Sequence, residues 1–232
     1  MKATQEFACA DYCLLPTAYC LANNRRNLRA VKLDAAHDLV MRHQADRHLQ
    51  EEPVVLEDAL MADDLFRDGF GIAWYGDRPE PGRYRDILPA WSDCNLRSIA
   101  RQIRSPLFLA HVRAATHGAT RRDNCHPFVH GRWSFMHNGQ ISGFDRIRRR
   151  MESLLSDDLF HARTGTTDSE LLFLLALEFG LEIDPHAAIA RAIATVESLS
   201  EEVCGDVLVR FTAAFSDGEA LYAVRYATDD KP

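Results

Sequence analysis

Three short stretches of this chain carry residue types suited to chemistry on an amino acid. The first is His111-Val112-Arg113-Ala114-Ala115-Thr116-His117-Gly118. An arginine leaving an apolar strand can fork onto a carboxylate through two parallel N–H···O bonds. Thr116 and His117 follow closely enough to add donors to the same ligand. The same arginine could instead cap the strand end through a structural ion pair. The second stretch is Met136-His137-Asn138-Gly139. A side-chain amide beside a glycine N–H offers two donors to a developing oxyanion, each worth about 3 kcal/mol in the transition state. A plain Asn-Gly turn uses the same dipeptide. The third is Thr166-Thr167-Asp168-Ser169-Glu170. Asp168 falls where a helix begins, so it reads either as part of an acidic first turn or as a carboxylate offered to an ammonium group. Together the three supply a fork, an acid and an oxyanion pair. That set fits an α-amino acid whose carbonyl, further along, is attacked.

The elements that must hold these groups follow from periodicity and punctuation. Leu107 to Arg113 is a nearly continuous apolar run, the pattern of a strand buried on both faces. Trp133 to His137 reads as a strand stopped by Asn138-Gly139. Gly69 to Tyr75 is a glycine-led strand followed by a turn over Asp77 to Pro81. Helices are expected over Ser92 to Arg104 and Phe144 to Leu155. A third begins at the capping-box pattern Thr167–Glu170 and ends at Gly180. Asp184-Pro185 starts a fourth. Val207–Phe215 and Ala220–Tyr226 are strands joined through Asp217-Gly218, a hairpin signal. Strands, a helical pair and strands again favour α+β layers over a doubly wound parallel sheet.

Composition sets the limits. The chain has 232 residues, 47% hydrophobic and 26% charged, as a globular protein does. A net charge of −7 speaks against broad nucleic-acid binding, and Arg146, Arg148, Arg149 and Arg150 read as a solvated helix face. No apolar run reaches the length of a membrane span. The six cysteines include no CxxC pair and suggest a reduced, cytoplasmic chain with structural thiols. Cys9, Cys13 and Cys20 fit no standard zinc spacing, so no metal is expected. Glu6 and Asp11 interrupt the start, and no signal peptide is expected. All 12 glycines lie between Gly69 and Gly218. Before them, Leu28, Val31, Ala35 and Leu39, then Val55, Ala59, Ala62 and Phe66, have helical spacing. The expected division is an atypical, helical segment over 1–67 and a main domain over 68–232.

His111 to Gly118, His137-Asn138-Gly139 and Thr167-Asp168-Ser169-Glu170, in that order, resemble class II glutamine amidotransferases. Gly69 to Tyr75 and Asn124-Cys125-His126-Pro127-Phe128 are similar to the stand-alone branch that includes γ-glutamyl hydrolases. The resemblance implies the N-terminal-nucleophile hydrolase fold, a four-layer α-β-β-α sandwich. It implies that Arg113 holds the substrate α-carboxylate, Thr116 and His117 line the pocket, and Asp168 holds the α-ammonium. Asn138 and the Gly139 N–H would form the oxyanion hole. Cys125 lies in a family-like segment but is not the family nucleophile, and reads as a packing thiol. The implied ligand is glutamine or a γ-glutamyl compound, with no cofactor, nucleic acid or membrane. A homodimer or a separate acceptor enzyme stays open as a partner.

The family nucleophile is a cysteine at the start of the mature chain, where its own α-amine, of pKa about 7.7–8.0, serves as general base. This chain begins Met1-Lys2-Ala3 and contains no Met-Cys. Processing to expose Cys20 is one expectation, although Cys20 to Arg26 is polar for a strand. An altered start and a non-catalytic, ligand-binding module are the others.

Overall fold

The computed structural model describes residues 18–24, 27–32, 41–43, 69–113, 120–205 and 208–228. The described strands in chain order begin with β1 (Ala18–Asn24), β2 (Asn27–Lys32), β3 (Met41–His43), β4 (Phe70–Trp74) and β5 (Gly82–Asp86). They continue with β6 (Leu107–Val112), β7 (Phe128–His130), β8 (Trp133–Ile141), β9 (Val209–Ser216) and β10 (Leu221–Ala227). The helices are α1 (Cys94–Gln102), α2 (Phe144–Glu152), α3 (Asp157–Ala162), α4 (Asp168–Glu178) and α5 (Pro185–Cys204).

The strands form two sheets, ordered β2-β1-β6-β4-β5 and β3-β10-β9-β8-β7, with antiparallel pairing throughout. Three apolar clusters mark the spaces between layers. Phe70, Ile72, Ala110 and Val112 of the first sheet pack with Leu96 of α1. Leu107 and Leu109 meet Met136, Ala214 and Leu221 between the sheets. Phe135, Phe211 and Phe215 of the second sheet pack with Leu172, Phe173, Ile189 and Val196 of α4 and α5. The sequence of layers is helix, sheet, sheet, helices: the α+β sandwich. Period-two alternation on β6 explains its nearly continuous apolar run, since one set of side chains faces α1 and the other faces the second sheet.

Helix ends follow the local chemistry. The Asp93 carboxylate accepts from Leu96 N at 2.7 Å to start α1. Asp184 accepts from His186 N and Ala187 N, both at 3.1 Å, with Pro185 at the first position of α5. α4 is buried all round from Leu171 to Ala176, because β8, α2 and α5 all pack on it.

Several expectations are corrected. Leu28 and Val31 lie on β2, paired with Asn23 and Cys20 of β1, and do not form a helix. Ala35 and Leu39 of the same pattern lie outside the described residues. The helix expected around Val55 to Phe66 lies outside the described residues. Cys20 sits within a strand despite its polar followers. Asn138-Gly139 does not stop β8, which pairs with β9 through Ile141. β5 was not anticipated; it is an arginine-bearing edge strand, a type with a weak apolar signal. The described strands from before residue 68 join both sheets, β1 between β2 and β6 and β3 beside β10.

Candidate active site

Arg113 follows the last residue of β6 and is only 5% exposed. Its backbone N–H donates to the Gly69 carbonyl at 2.8 Å, tying the strand end to the start of β4. On β6, Leu107 and Leu109 face the second sheet, and His111 continues that face. The His111 imidazole lies against the backbone of His137 on β8, so the Arg113 end of β6 lies across from the Asn138 end of β8. Thr116 and His117 lie outside the described residues. Cys125 is fully buried, with Sγ 3.5 Å from the Asp86 carbonyl and 3.6 Å from that of Arg121. Burial pushes its thiol up, the opposite of what a nucleophile needs.

β8 is buried from Trp133 to His137 and then exposed at Asn138 and Gly139. Asn138 continues the face of Met136, toward the first sheet. Gly139 has φ +155°. β7 pairs with β8 only as far as Phe135, so beyond it that edge of β8 has no partner strand among the described residues.

Asp168 meets that edge. Its Oδ2 accepts from Ile141 N at 3.2 Å and its Oδ1 from Ser169 N at 2.8 Å. Thr167 caps α4 by accepting from Glu170 N at 3.2 Å. Glu170 is buried and closes the loop before it. One carboxylate oxygen accepts from Thr164 N and Oγ1, both at 3.0 Å, and the other from Gly165 N at 2.6 Å. Asn124 Oδ1 accepts from Thr166 N at 2.9 Å. The loop that delivers Asp168 is thus held from two sides, by α4 and by the segment preceding Cys125. His137, Ser169, Glu170 and Asn124 were seen in the sequence only as members of motifs. Their supporting roles depend on contacts 5 to 42 residues apart, which no local spacing encodes.

Three histidines lie beneath the site. His111, His126 and His137 are all buried, and the first two rings are 4.3 Å apart. Burial keeps each of them neutral. It pushes His111 down to about 3, His126 well below its ordinary range, and His137 down as well, with Asp168 pulling His137 partly back.

Asn138, Gly139 and Asp168 are therefore brought together along one edge of β8, with Arg113 at the facing strand end. Cys20 is mid-strand in β1, opposite Leu109, with Ala18 opposite His111. Among the described residues no group of three His, Cys, Asp or Glu side chains could hold a metal ion, and no helix is long and apolar enough to cross a membrane.

Residues 55–229 match the family model of class II glutamine amidotransferases. The protein named probable glutamine amidotransferase DUG3 of Saccharomyces cerevisiae is 41% identical over 186 residues, covering 69% of this chain and 52% of that one. A γ-glutamyl-hercynylcysteine sulfoxide hydrolase of Mycolicibacterium smegmatis is 30% identical over 143 residues, 61% of this chain and 63% of that one. The chain thus spans about half to two-thirds of the length of these relatives. A solved glutamine aminotransferase class-II domain protein from Silicibacter pomeroyi is 53% identical over 71% of each chain, with a TM-score of 0.63. Three-quarters of the chain falls within the family model, the fold agrees, and the chain belongs to the class II glutamine amidotransferases.

Proposed function

We propose that this site binds the γ-glutamyl group of glutamine or of a related amide and supports hydrolysis of that amide. The observation that carries the reading is the bond from Ile141 N to Asp168 Oδ2. It fixes an ammonium-binding carboxylate two residues along β8 from Asn138-Gly139. Because the Ile141 N–H points to the unpaired edge, strand alternation turns the Gly139 N–H the same way, where it can serve an oxyanion. Arg113 then forks onto the α-carboxylate, with Thr116 and His117 on the adjoining segment.

The chemistry needs a cysteine with a free α-amine. That amine takes the thiol proton as sulfur attacks the γ-carbonyl carbon. The oxyanion rests on the Asn138 amide and the Gly139 N–H. Collapse breaks the C–N bond, and the departing nitrogen carries away the proton. Water then hydrolyses the thioester to release glutamate and the thiol. In this chain Cys20, freed by cleavage, is the candidate for that role. The mid-strand position of Cys20 favours a second reading, in which the uncleaved chain captures γ-glutamyl compounds without turnover.

Calorimetry with glutamine tests the site. Arg113→Ala and Asp168→Ala should each weaken binding by about 2–3 kcal/mol, the loss of a charged hydrogen-bonding partner. Unchanged affinity in both would remove the assignment. A glutaminase assay on a chain beginning at Cys20 separates the readings: release of ammonia supports hydrolysis, and binding without release supports capture.

A further inference from the structure

We infer that His137 and Ser169 form a hydrogen-bonded relay that positions the Asp168 carboxylate for a ligand's ammonium group and weakens that hold in acid. The inference rests on the binding role given to Asp168 above and assigns two further positioning residues to the same site. The tautomer follows from the partners. His137 Nε2 is 3.3 Å from the Arg210 carbonyl oxygen, which can only accept, so Nε2 carries the proton. The Nδ1 of a neutral ring is then an acceptor, and it lies 2.8 Å from Ser169 Oγ. The single hydroxyl proton of Ser169 is committed to that bond. Asp168 Oδ1, 3.3 Å from the same hydroxyl, keeps the Ser169 N–H at 2.8 Å, and Oδ2 keeps Ile141 N.

Protonation rearranges this chain of bonds. An imidazolium donates from both nitrogens, so Nδ1–H points at Ser169 Oγ and the hydroxyl proton turns to Asp168 Oδ1. The carboxylate gains a donor, and a positive charge stands one side chain away. Both changes compete with a bound ammonium. Groups from several packed elements face His137. Asp168 and Ser169 come from α4. The Arg210 carbonyl and the Phe211 ring, 4.8 Å away, come from β9. His111 comes from β6, His126 from the segment before β7, and the Arg113 charge stands beyond His111. Asp168 and the Arg210 carbonyl favour the imidazolium. Burial opposes it and outweighs them, so the switch operates below the ordinary histidine range.

The test uses the full chain with ¹⁵N-labelled histidine. Long-range ¹H–¹⁵N spectra should show His137 as the neutral Nε2–H tautomer at pH 7.5. Calorimetric affinity for L-glutamine should fall at least threefold toward pH 5, in step with the His137 titration. His137→Gln, which can still donate to the Arg210 carbonyl but cannot take a proton, should show an affinity that stays flat from pH 7.5 to pH 5. Ser169→Ala, a mild change should the first variant fail to fold, should bind glutamine three- to tenfold more weakly at pH 7.5. Its affinity should no longer follow the histidine titration. An Nδ1–H tautomer at pH 7.5, or a His137→Gln chain with the wild-type fall in acid, overturns the relay. A wild-type chain that binds no γ-glutamyl compound at any pH overturns the functional reading and the ligand half of this inference, and that result is distinct from a wrong tautomer.

Discussion

A methyl group on Gly139 would lie 2.0 Å from the Arg210 carbonyl oxygen and 2.6 Å from His137 Nε2, on a backbone held at φ +155°. Two independent costs act at one atom. The left-hand φ is strained for any L side chain, and the nearest obstacle is β9 backbone that cannot swing aside. Gly139→Ala should therefore lower stability by roughly 2–4 kcal/mol and abolish glutamine binding, because β8 must leave β9 where the proposed oxyanion donors sit. Gly131 is the control. Its φ is +53°, yet a Cβ there meets nothing within 4 Å. Gly131→Ala should cost only about 1 kcal/mol and leave binding intact. Urea denaturation and calorimetry on the two variants check this. Equal losses would mean that the close approach at Gly139 does not matter.

The loop from Thr164 to Thr167 and the first turn of α4 act as one element, and Glu170 closes it. Replacing its carboxylate by an amide sets an NH₂ group against either Gly165 N–H or the Thr164 pair, since both oxygens are engaged. Glu170→Gln should cost about 1–3 kcal/mol, the penalty for a buried donor left without an acceptor. It should weaken glutamine binding by less than Asp168→Ala does, as Glu170 touches the loop and not the ligand. Thermal melting and calorimetry together separate these effects. The same element shows what the sequence could and could not tell. Thr167 and Glu170 marked the start of the helix correctly, since a cap is local chemistry. The capping box would send the Glu170 side chain back to the cap residue's amide, but it reaches Thr164 and Gly165 instead, because the loop's path is set by tertiary packing. The apolar run of β6 was legible because burial on both faces leaves an unmistakable pattern. β8 was cut short at Asn138-Gly139 because that dipeptide is a turn signal in isolation, and pairing with β9 overrules it. The order Arg113, Asn138, Asp168 was readable as chemistry. The placement of Asp168 on the edge of β8, with His137 and Ser169 behind it, depended on sheet topology.

At the scale of the whole molecule, the two sheets are tied by polar as well as apolar contacts. The Tyr75 hydroxyl lies 2.7 Å from the Ser216 carbonyl, 2.8 Å from Ser134 Oγ and 2.9 Å from the Arg132 carbonyl, joining β4's end to the second sheet. Burial pushes this phenol up to about 12, so it stays a neutral donor at any working pH. The histidines under the site behave differently. His111, His126 and His137 are held neutral in the fold, whereas unfolded histidine titrates near 6.5. Below that value the unfolded chain takes up protons that the fold refuses. Their contribution to stability is complete above about pH 6.5 and is lost as pH falls toward the depressed folded values, by up to about 1.4 kcal/mol per pH unit for each group. Urea midpoints should therefore hold between pH 8 and 7 and drop between 6.5 and 5. His126 isolates one share of this effect. Among the described residues neither of its ring nitrogens has a hydrogen-bond partner, so the native state gains little in return for their desolvation. His126→Leu should leave stability at pH 7.5 unchanged or higher, and should shallow the acid slope by about one proton. A slope equal to wild type would mean that His126 does not titrate on unfolding, and that acid acts on the fold through other groups.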